Sequence, residues 1–405
     1  MNKNIKIFFI IILTFFIGIF VGYENPEIIV KIKKIYNFFF QPQNQIFIKT
    51  ISEDIDKKNK TINANSYDLN VEKVSSFGNR ASALFFDKKN FKIIREDGKI
   101  ETKDEIIDFK KTFNFFEKKN GGIKSSFMIN NQIFLYQSNY SINCYYASIV
   151  KLNTRDEIFK TDCLPDQDNI DFSGLGGGYA IKDDLIYFSI GTPTHQSNEI
   201  DNLSQNLNSL YGKIIKIKIS ELLKDKKIEY QTISLGHRNP QGIVEINEKL
   251  YSVEHGPLGG DEINLIEEGK NYGWPIYSMG SDYTRNKKYK NFSKDSKFKN
   301  SLFSFLPAIA PSDIATCPSK LKNYYEDFDC LIVLTLRGMS IFVILLDKNS
   351  NKVQSYEQIL LEERLRKFGR DLEMKLYEDE ENYFYLVTDQ NNLYKLKFNN
   401  FINDK

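Results

Sequence analysis

The sequence predicts an all-β protein, a six-bladed β-propeller with an N-terminal transmembrane anchor. Three observations predict it. A pair of strand-like segments recurs along the chain, the copies start roughly 50 to 80 residues apart, as four-stranded blades with loops would, and a long apolar run stands at the N-terminus. We therefore expect an anchor over residues 1–23, a juxtamembrane tether over 24–45 and one propeller domain over 46–400.

The anchor is predicted from the segment MNKNIKIFFIIILTFFIGIFVGY. Lys3 and Lys6 precede an apolar run from Ile7 to Val21, close to the roughly 17 to 25 residues that span a bilayer core. The run ends without the small residues of a cleavage site, so we favour an uncleaved anchor over a cleaved signal peptide. Lysines before the helix place the propeller outside the cytoplasm, which is the periplasm in a Gram-negative cell.

The four cysteines suit that compartment. Cys144 and Cys163 flank one predicted hairpin, and Cys317 and Cys330 flank one loop. Two local disulfides are therefore expected in a protein that lies outside the cytoplasm. The alternative is four ordinary buried thiols, and no Cys-x-x-Cys or Cys/His spacing indicates zinc.

The propeller is predicted from five strand pairs whose apolar residues alternate with a period near two. The first strands of these pairs are NNQIFLYQ (130–137), KDDLIYFSIG (182–191), NEKLYSVEHG (247–256), FDCLIVLTLRG (328–338) and ENYFYLVTD (381–389). Residues 82–99 begin a further blade, which brings the count to about six. A pair of β-sandwiches would need a linker near the middle of the chain, and none is visible.

Composition limits the partners. Of the 405 residues, 41% are hydrophobic and 27% are charged, with a net charge of +2 at pH 7. This is the composition of a globular protein without the excess of positive charge that binds a polyanion, so nucleic acid is not expected as a partner.

Two loops carry the residues of chemical interest, LGHRNPQG and EHGPLGGDE. The guanidinium of Arg238 can grip a carboxylate with two hydrogen bonds, and Asn239 adds an amide donor and acceptor. The carbonyl oxygens of Gly256 and Pro257 are the hard ligands that calcium accepts. The alternative for each loop is a glycine-rich turn with a satisfied surface arginine. Loops of a propeller converge at the mouth of its central channel, where we expect both.

The order of these residues resembles a known family. GHRNPQG followed by EHGPLGGDEINLIEEGKNYGWP is similar to the signature of the glucose/sorbosone dehydrogenases, soluble aldose dehydrogenases that depend on pyrroloquinoline quinone (PQQ). Further similar segments are QNLNSLYGKIIKI (205–217), FLPAIAPSDI (305–314), LTLRGMSIFVI (334–344), FGRDLEM and YLVTDQNNLYKLKF. The resemblance extends from about residue 170 to 398. The earlier part of the chain is matched only by the regular spacing of its strand pairs.

The resemblance implies a propeller with PQQ over the channel mouth, a calcium ion that polarises the quinone, and a histidine that takes the proton of the sugar's anomeric hydroxyl. The implied cofactor contacts are Arg238, Asn239, Arg337 and Arg370. The implied ligands of the catalytic calcium are Gly256 and Pro257, and those of a second calcium are Asp261, Glu262 and Tyr272.

The sequence departs from the family pattern at this mouth. The family base precedes the strand DDLIYFSIG, but no histidine occurs before His195. The other departures are Thr192 in place of an acid, Phe303 in place of a tyrosine, Leu306 in place of a tryptophan and Phe368 in place of the first arginine of R-x-R-D. His195 and Asp171 are the candidate substitutes for the base.

Two hypotheses follow. The favoured one is a membrane-tethered PQQ- and calcium-dependent enzyme that oxidises a small-molecule sugar at its anomeric carbon and passes electrons to an acceptor in the membrane or periplasm. The alternative is a non-catalytic propeller that binds a glycan or a protein partner outside the cytoplasm. Retained cofactor contacts favour the first hypothesis, and the lost mouth residues favour the second.

Overall fold

A computed structural model describes residues 59–87, 90–109, 111–165, 169–194, 198–224, 228–283, 289 and 297–402. The predicted anchor (1–23), the tether (24–45) and His195 lie outside these residues. Within the described ranges, no helix combines the length and the apolar character that crossing a bilayer requires.

The regular secondary structure of the described residues is almost entirely β, as predicted, and comprises strands β1 to β27 in chain order. The first two blades and the strands before them contain β1 (Asn59–Asn63), β2 (Asp68–Ser76), β3 (Ala81–Asp87), β4 (Asn90–Arg95), β5 (Lys99–Glu101), β6 (Ile106–Asp108), β7 (Ile123–Ile129), β8 (Gln132–Ser141), β9 (Cys144–Lys151), β10 (Glu157–Lys160) and β11 (Leu164–Pro165). The next two contain β12 (Gly176–Lys182), β13 (Leu185–Ile190), β14 (Lys213–Lys218), β15 (Gln231–Leu235), β16 (Pro240–Ile246), β17 (Lys249–Glu254), β18 (Asp261–Ile266), β19 (Lys270–Asn271) and β20 (Phe303–Phe305). The last two contain β21 (Pro311–Thr316), β22 (Phe328–Thr335), β23 (Ser340–Asp347), β24 (Val353–Leu360), β25 (Leu365–Arg370), β26 (Phe384–Thr388) and β27 (Asn392–Asn399).

Three short α-helices interrupt this pattern in the described residues, α1 (Asn198–Asn202), α2 (Ile219–Leu222) and α3 (Ser319–Tyr324), together with two 3-10 turns at Phe172–Gly174 and Leu203–Gln205. None is longer than six residues. They connect strands and do not form a layer of their own, so the fold is all-β.

The strands form six antiparallel blades around a central tunnel. In chain order the blades begin with β3, β7, β12, β16, β21 and β25, and each of these is the innermost strand of its blade. Each innermost strand contacts the next one, and β25 runs parallel to β3, which completes the ring. The sixth blade takes its outer strands from the start of the chain, because β2 pairs with β27.

Hydrophobic side chains fill the space between neighbouring blades. Between the second and third blades, the rings of Phe127 and Phe134 stack at 5.2 Å, and Phe188 lies 6.0 Å from Phe127. Leu175 and Phe368 are also fully buried in these apolar layers. Burial of this kind is the main force that holds blade against blade.

Both predicted disulfides are present. Cys144 is bonded to Cys163, and Cys317 is bonded to Cys330. Each joins segments that already lie side by side, since β11 pairs with β9 and the main-chain N–H of Cys317 donates to the carbonyl of Cys330. The alternative of four buried thiols is therefore wrong.

The direction of the innermost strands distinguishes the two ends of the tunnel. We call the end where these strands begin the top and the end where they finish the bottom. Because neighbouring strands within a blade are antiparallel, the loop between the second and third strands returns to the top. The loops that lead into the innermost strands meet these returning loops there.

Candidate functional site

Five of the predicted site residues lie on top loops. Arg238 and Asn239 immediately precede the innermost strand β16, Gly256 and Pro257 follow β17, and Arg337 follows β22. These loops belong to the fourth and fifth blades, which are neighbours in the ring. The structure therefore brings the two predicted motifs together, and the exposed Arg337 shares their end of the tunnel.

Arg238 is buried but its charge is not neutralised by a carboxylate among the described residues. Its guanidinium donates from Nη1 to the carbonyl of His255 at 3.2 Å and lies 5.3 Å from the centre of the Trp274 ring. Its main-chain N–H donates to Oε2 of Glu254 at 3.0 Å, which fixes the loop and leaves the side-chain charge available. Such a guanidinium suits an anionic ligand.

Asn239 holds the loop in place. Its Oδ1 accepts from the N–H of Gly176 at 3.1 Å and from Nε2 of Gln241 at 2.7 Å, and its Nδ2 donates to the carbonyl of Ser173 at 3.2 Å. Both ends of the amide are thus engaged within the protein. The structure gives Asn239 a positioning role beside Arg238.

The loop after β17 fits a calcium ion bound by main-chain oxygens. Within the described residues, the carbonyls of Gly256 and Pro257 accept no hydrogen bond. The N–H of Gly256 donates to Oδ1 of Asp261 at 2.9 Å. A Cβ at position 256 would lie 2.3 Å from the carbonyl oxygens of Gly259 and Gly260, so the turn requires glycine there.

Two residues of the predicted second calcium site, Asp261 and Tyr272, form hydrogen bonds with the main chain. Oδ2 of Asp261 accepts from the N–H groups of Ile309 and Ala310 at 2.7 and 2.6 Å, and the Tyr272 hydroxyl donates to the Leu265 carbonyl at 2.5 Å. No group of three or more His, Cys, Asp or Glu suited to a metal occurs in the described part of the chain. The contacts of Asp261 with Ile309 and Ala310 are long-range, so the local motif does not reveal them, whereas the Tyr272 contact is local.

Glu262 belongs to a buried polar cluster that also contains Glu254, His237 and Asn264. Burial and the neighbouring charge of Glu254 raise the pKa of Glu262 to about 8. Oε1 of Glu254 lies 3.1 Å from Nδ1 of His237, and it also accepts from Nδ2 of Asn264 at 2.7 Å. Sequence analysis missed Glu254 and His237, although both stand beside the motifs it selected.

Arg370 does not join the top loops. Its Nη2 lies 2.8 Å from Oδ1 of Asp313 and donates to the carbonyl of Ile314 at 2.9 Å. The pair is buried inside the tunnel, because Arg370 is the last residue of β25 and the innermost strands run away from the top. The predicted cofactor contact is therefore not supported, since a carboxylate of the protein already neutralises this guanidinium.

The segment that lacks the family's histidine lies at the top, but its acid is committed. Oδ1 of Asp171 accepts from the N–H of Ser173 at 2.8 Å, and Asn120 donates to the same carboxylate. Asp171 thus caps a short turn before β12. The described residues of this segment, 169–194, contain no histidine.

The other departures from the family pattern are spread over two environments. Thr192 donates to the carbonyl of Arg238 at 3.1 Å, and Leu306 is 58% exposed on a top loop, next to Gly259. Phe303 lies on the outer strand β20, where its ring packs 4.8 Å from that of Phe305. Phe303 is therefore a packing residue, whereas Thr192 and Leu306 do border the mouth.

Comparison with known proteins agrees with this architecture. The model of the family described as glucose/sorbosone dehydrogenase matches residues 84–395. An uncharacterized protein of Synechocystis is 29% identical over 226 residues, 52% of each chain. The aldose sugar dehydrogenase of Escherichia coli is 37% identical over 90 residues, 20% of this chain and 24% of the relative. The chain thus spans about half or less of these relatives.

Solved structures show the same fold. The apo-form of the soluble aldose sugar dehydrogenase of Escherichia coli has a TM-score of 0.66 at 20% identity, and covers 82% of this chain and 99% of its own. The PQQ-bound aldose sugar dehydrogenase of Streptomyces coelicolor has a TM-score of 0.57 at 18% identity, with coverages of 82% and 98%. Because the family model matches well over half of the chain, this protein belongs to the glucose/sorbosone dehydrogenase family.

Proposed function

We propose that the protein is a PQQ- and calcium-dependent aldose sugar dehydrogenase that oxidises a sugar at its anomeric carbon. The observation that supports the proposal is that neighbouring top loops hold a guanidinium and two main-chain carbonyls. Among the described residues, the guanidinium has no carboxylate partner and the carbonyls accept no hydrogen bond. The first suits an anionic quinone and the second suits calcium. Membership of the family supports the same reading of the site.

Different residues of the top loops would bind the cofactor, hold the calcium ion and form the wall of the mouth. Arg238, stacked on Trp274, would bind a carboxylate of the cofactor, and the carbonyls of Gly256 and Pro257 would hold the ion. The cofactor, when bound, supplies the acceptor for the hydride that leaves the anomeric carbon. Leu306 would form an apolar wall of the mouth, which restricts water around the sugar.

The proton of the anomeric hydroxyl requires a base, and we propose His195 for this role. In the sequence it directly follows Thr194, and the described residues 191–194 after β13 lie at the top. General-base catalysis is worth about 10²- to 10⁴-fold in rate, so His195→Asn should lower the turnover number by this factor without weakening cofactor binding. Sugar-dependent dye reduction, measured on the cofactor-loaded protein, tests this; unchanged turnover would remove His195 from the role.

A non-catalytic propeller is the second candidate function. It is favoured by the engagement of Asp171 in a turn and by the absence of a histidine from the described residues of 169–194. In that case the top loops would bind a glycan or a protein, and the glycine-rich loop would serve rigidity.

A titration of the purified protein with PQQ and calcium chloride separates the two functions. Binding should shift the quinone absorbance and raise the melting temperature by the mass-action stabilisation that any ligand of the folded state provides. Magnesium chloride in place of calcium is the control, because magnesium demands a tighter octahedral set of ligands than two carbonyls supply. No shift in absorbance or melting temperature would remove the enzyme hypothesis.

We also propose that residues 1–23 anchor the protein in a membrane, with the propeller outside the cytoplasm and electrons passing to a membrane or periplasmic acceptor. The two disulfides support an oxidising compartment. Protease added to intact spheroplasts should degrade the propeller but not a cytoplasmic marker. Protection of the propeller until the membrane is lysed would contradict this placement.

A further inference from the structure

Lys367 lies in the tunnel close to the top loops. Its Nζ donates to the main-chain carbonyls of Gln241 at 3.2 Å and of Ser312 at 3.0 Å. These two residues stand at the beginning of adjacent innermost strands, β16 and β21. Lys367 borders a narrow space of about 20 Å³, room for about one water molecule, so the body of a larger ligand does not fit inside it.

The hydrogen bonds of Lys367 connect it to the candidate cofactor site. Gln241, whose carbonyl accepts from Lys367, donates from Nε2 to Oδ1 of Asn239 at 2.7 Å. The carbonyl next to that of Ser312 belongs to Pro311 and accepts from Nε2 of His255 at 2.9 Å. The ammonium group and the top loops are therefore parts of one hydrogen-bonded arrangement.

The charge of Lys367 is not neutralised by an ion pair with any described residue. Burial lowers the pKa of Lys367 to about 8, while the charge of Asp313 opposes this shift. Asp313 is itself occupied, since it accepts from Arg370 and from the N–H of Phe368. The remaining charged groups around Lys367 are Arg366, Arg370 and Lys124, all of which lower its pKa further. A negatively charged ligand would therefore find a partner here.

Lys213 shows what a purely structural buried lysine looks like in the same protein. Its Nζ donates to three carbonyls, those of Leu203, Ser204 and Tyr211, at 2.9, 3.0 and 2.8 Å. Burial also lowers the pKa of Lys213 to about 8. Lys367 uses two of its three N–H groups, and the third has no acceptor among the described residues. The difference indicates that Lys367 serves more than packing.

We propose that Lys367 donates this third hydrogen bond to an anionic oxygen of the bound quinone cofactor and so forms the cationic floor of its site. The inference rests on the proposed function. It also explains why Phe368 can stand in place of the first arginine of the family's R-x-R-D motif. The Phe368 ring is buried and lies 6.2 Å from that of Phe384. The register of β25 shifts between Leu365 and Lys367, and the lysine rather than Phe368 brings a cation to the tunnel.

The test is PQQ affinity in calcium chloride for the full chain and for Lys367→Met, Lys367→Arg and Lys213→Met, followed by quinone absorbance between about pH 7 and 10. Wild-type affinity should fall as the pH rises through about 8, because Lys367 loses its charge there. Lys367→Met should bind at least tenfold more weakly at pH 7. Lys213→Met should keep the wild-type affinity in its folded fraction.

Lys367→Arg isolates the lysine from Glu262, whose pKa also lies at about 8 and which is present in every variant. Because arginine stays charged throughout this range, Lys367→Arg should lose the part of the pH dependence that belongs to the lysine. This variant also decides the matter if Lys367→Met does not fold.

The outcomes separate the two proposals. If the wild type binds no PQQ, the proposed function and the role of Lys367 both fall. If the wild type binds PQQ, and the methionine and arginine variants keep its affinity and pH profile, only the role of Lys367 is overturned.

Discussion

The family resemblance implies that Arg238 and Arg370 both contact the cofactor, yet their guanidinium groups have different partners in the structure. Near the top, the guanidinium of Arg238 contacts a neutral carbonyl and an aromatic ring. Further down, that of Arg370 forms a buried ion pair with Asp313. The same residue type thus offers charge to a ligand in one region and holds strands together in the other. The partner, rather than the motif, decides which.

The largest effect on the free energy of unfolding is expected when the ion pair of Arg370 and Asp313 is disrupted. Asp313→Asn leaves the guanidinium of Arg370 buried without its carboxylate, which typically costs about 3 to 5 kcal/mol. Chemical denaturation should show this loss, while Arg370→Met together with Asp313→Leu, which removes both charges, should recover much of the stability. A loss below about 1 kcal/mol for Asp313→Asn would mean that the ion pair is not structural.

The disulfide near the bottom should have the next largest effect. Cys317 follows β21 and Cys330 lies in β22, so replacing both by serine frees a loop of 13 residues in the unfolded chain. A loop of this size corresponds to a loss of about 3 kcal/mol in unfolding free energy. PQQ affinity of the folded protein should not change, since the top loops are remote in the fold. A parallel loss of affinity would contradict this separation of the two ends.

Arg238→Met should weaken PQQ binding and leave the stability of the protein unchanged, the reverse of the effect expected for the disulfide. Loss of a charged hydrogen-bond donor should weaken PQQ binding by about 1.5 to 3 kcal/mol, while the stacking on Trp274 is largely preserved by an apolar chain of similar length. Arg238→Lys is the control that keeps the charge but not the two-pronged geometry. If Arg238→Met lost stability and retained affinity, the contrast with Arg370 would not hold.

The sequence predicts the second and third strands of the blades better than the first. Segments such as FDCLIVLTLRG are apolar on both faces, because each lies between neighbouring blades, and β22 and β23 follow from them. Innermost strands such as GGGYAIK and PSDIAT carry glycine and polar residues, since one face borders the tunnel. They therefore lack the apolar alternation that marks a strand.

The candidate site was predictable where its chemistry is local. The motif around Arg238 and the glycine turn at Gly256 can be recognised from the sequence, because both depend on residues close together in the chain. The hydrogen bond from the N–H of Ile309 to Asp261 and the position of the Lys367 ammonium in the tunnel could not be predicted. Both depend on which strands become neighbours, and on a register shift in β25 that no local pattern specifies.

The pairing of β2 with β27 has a consequence for biosynthesis. The strand β2, which pairs with β27 in the sixth blade, is synthesised before the other five blades, whereas β27 follows all the other strands of the propeller. Until then, the edge of β2 that pairs with β27 is exposed. Chains that stall before β27 should accumulate as open, aggregation-prone species, since the pairing of β2 with β27 cannot form.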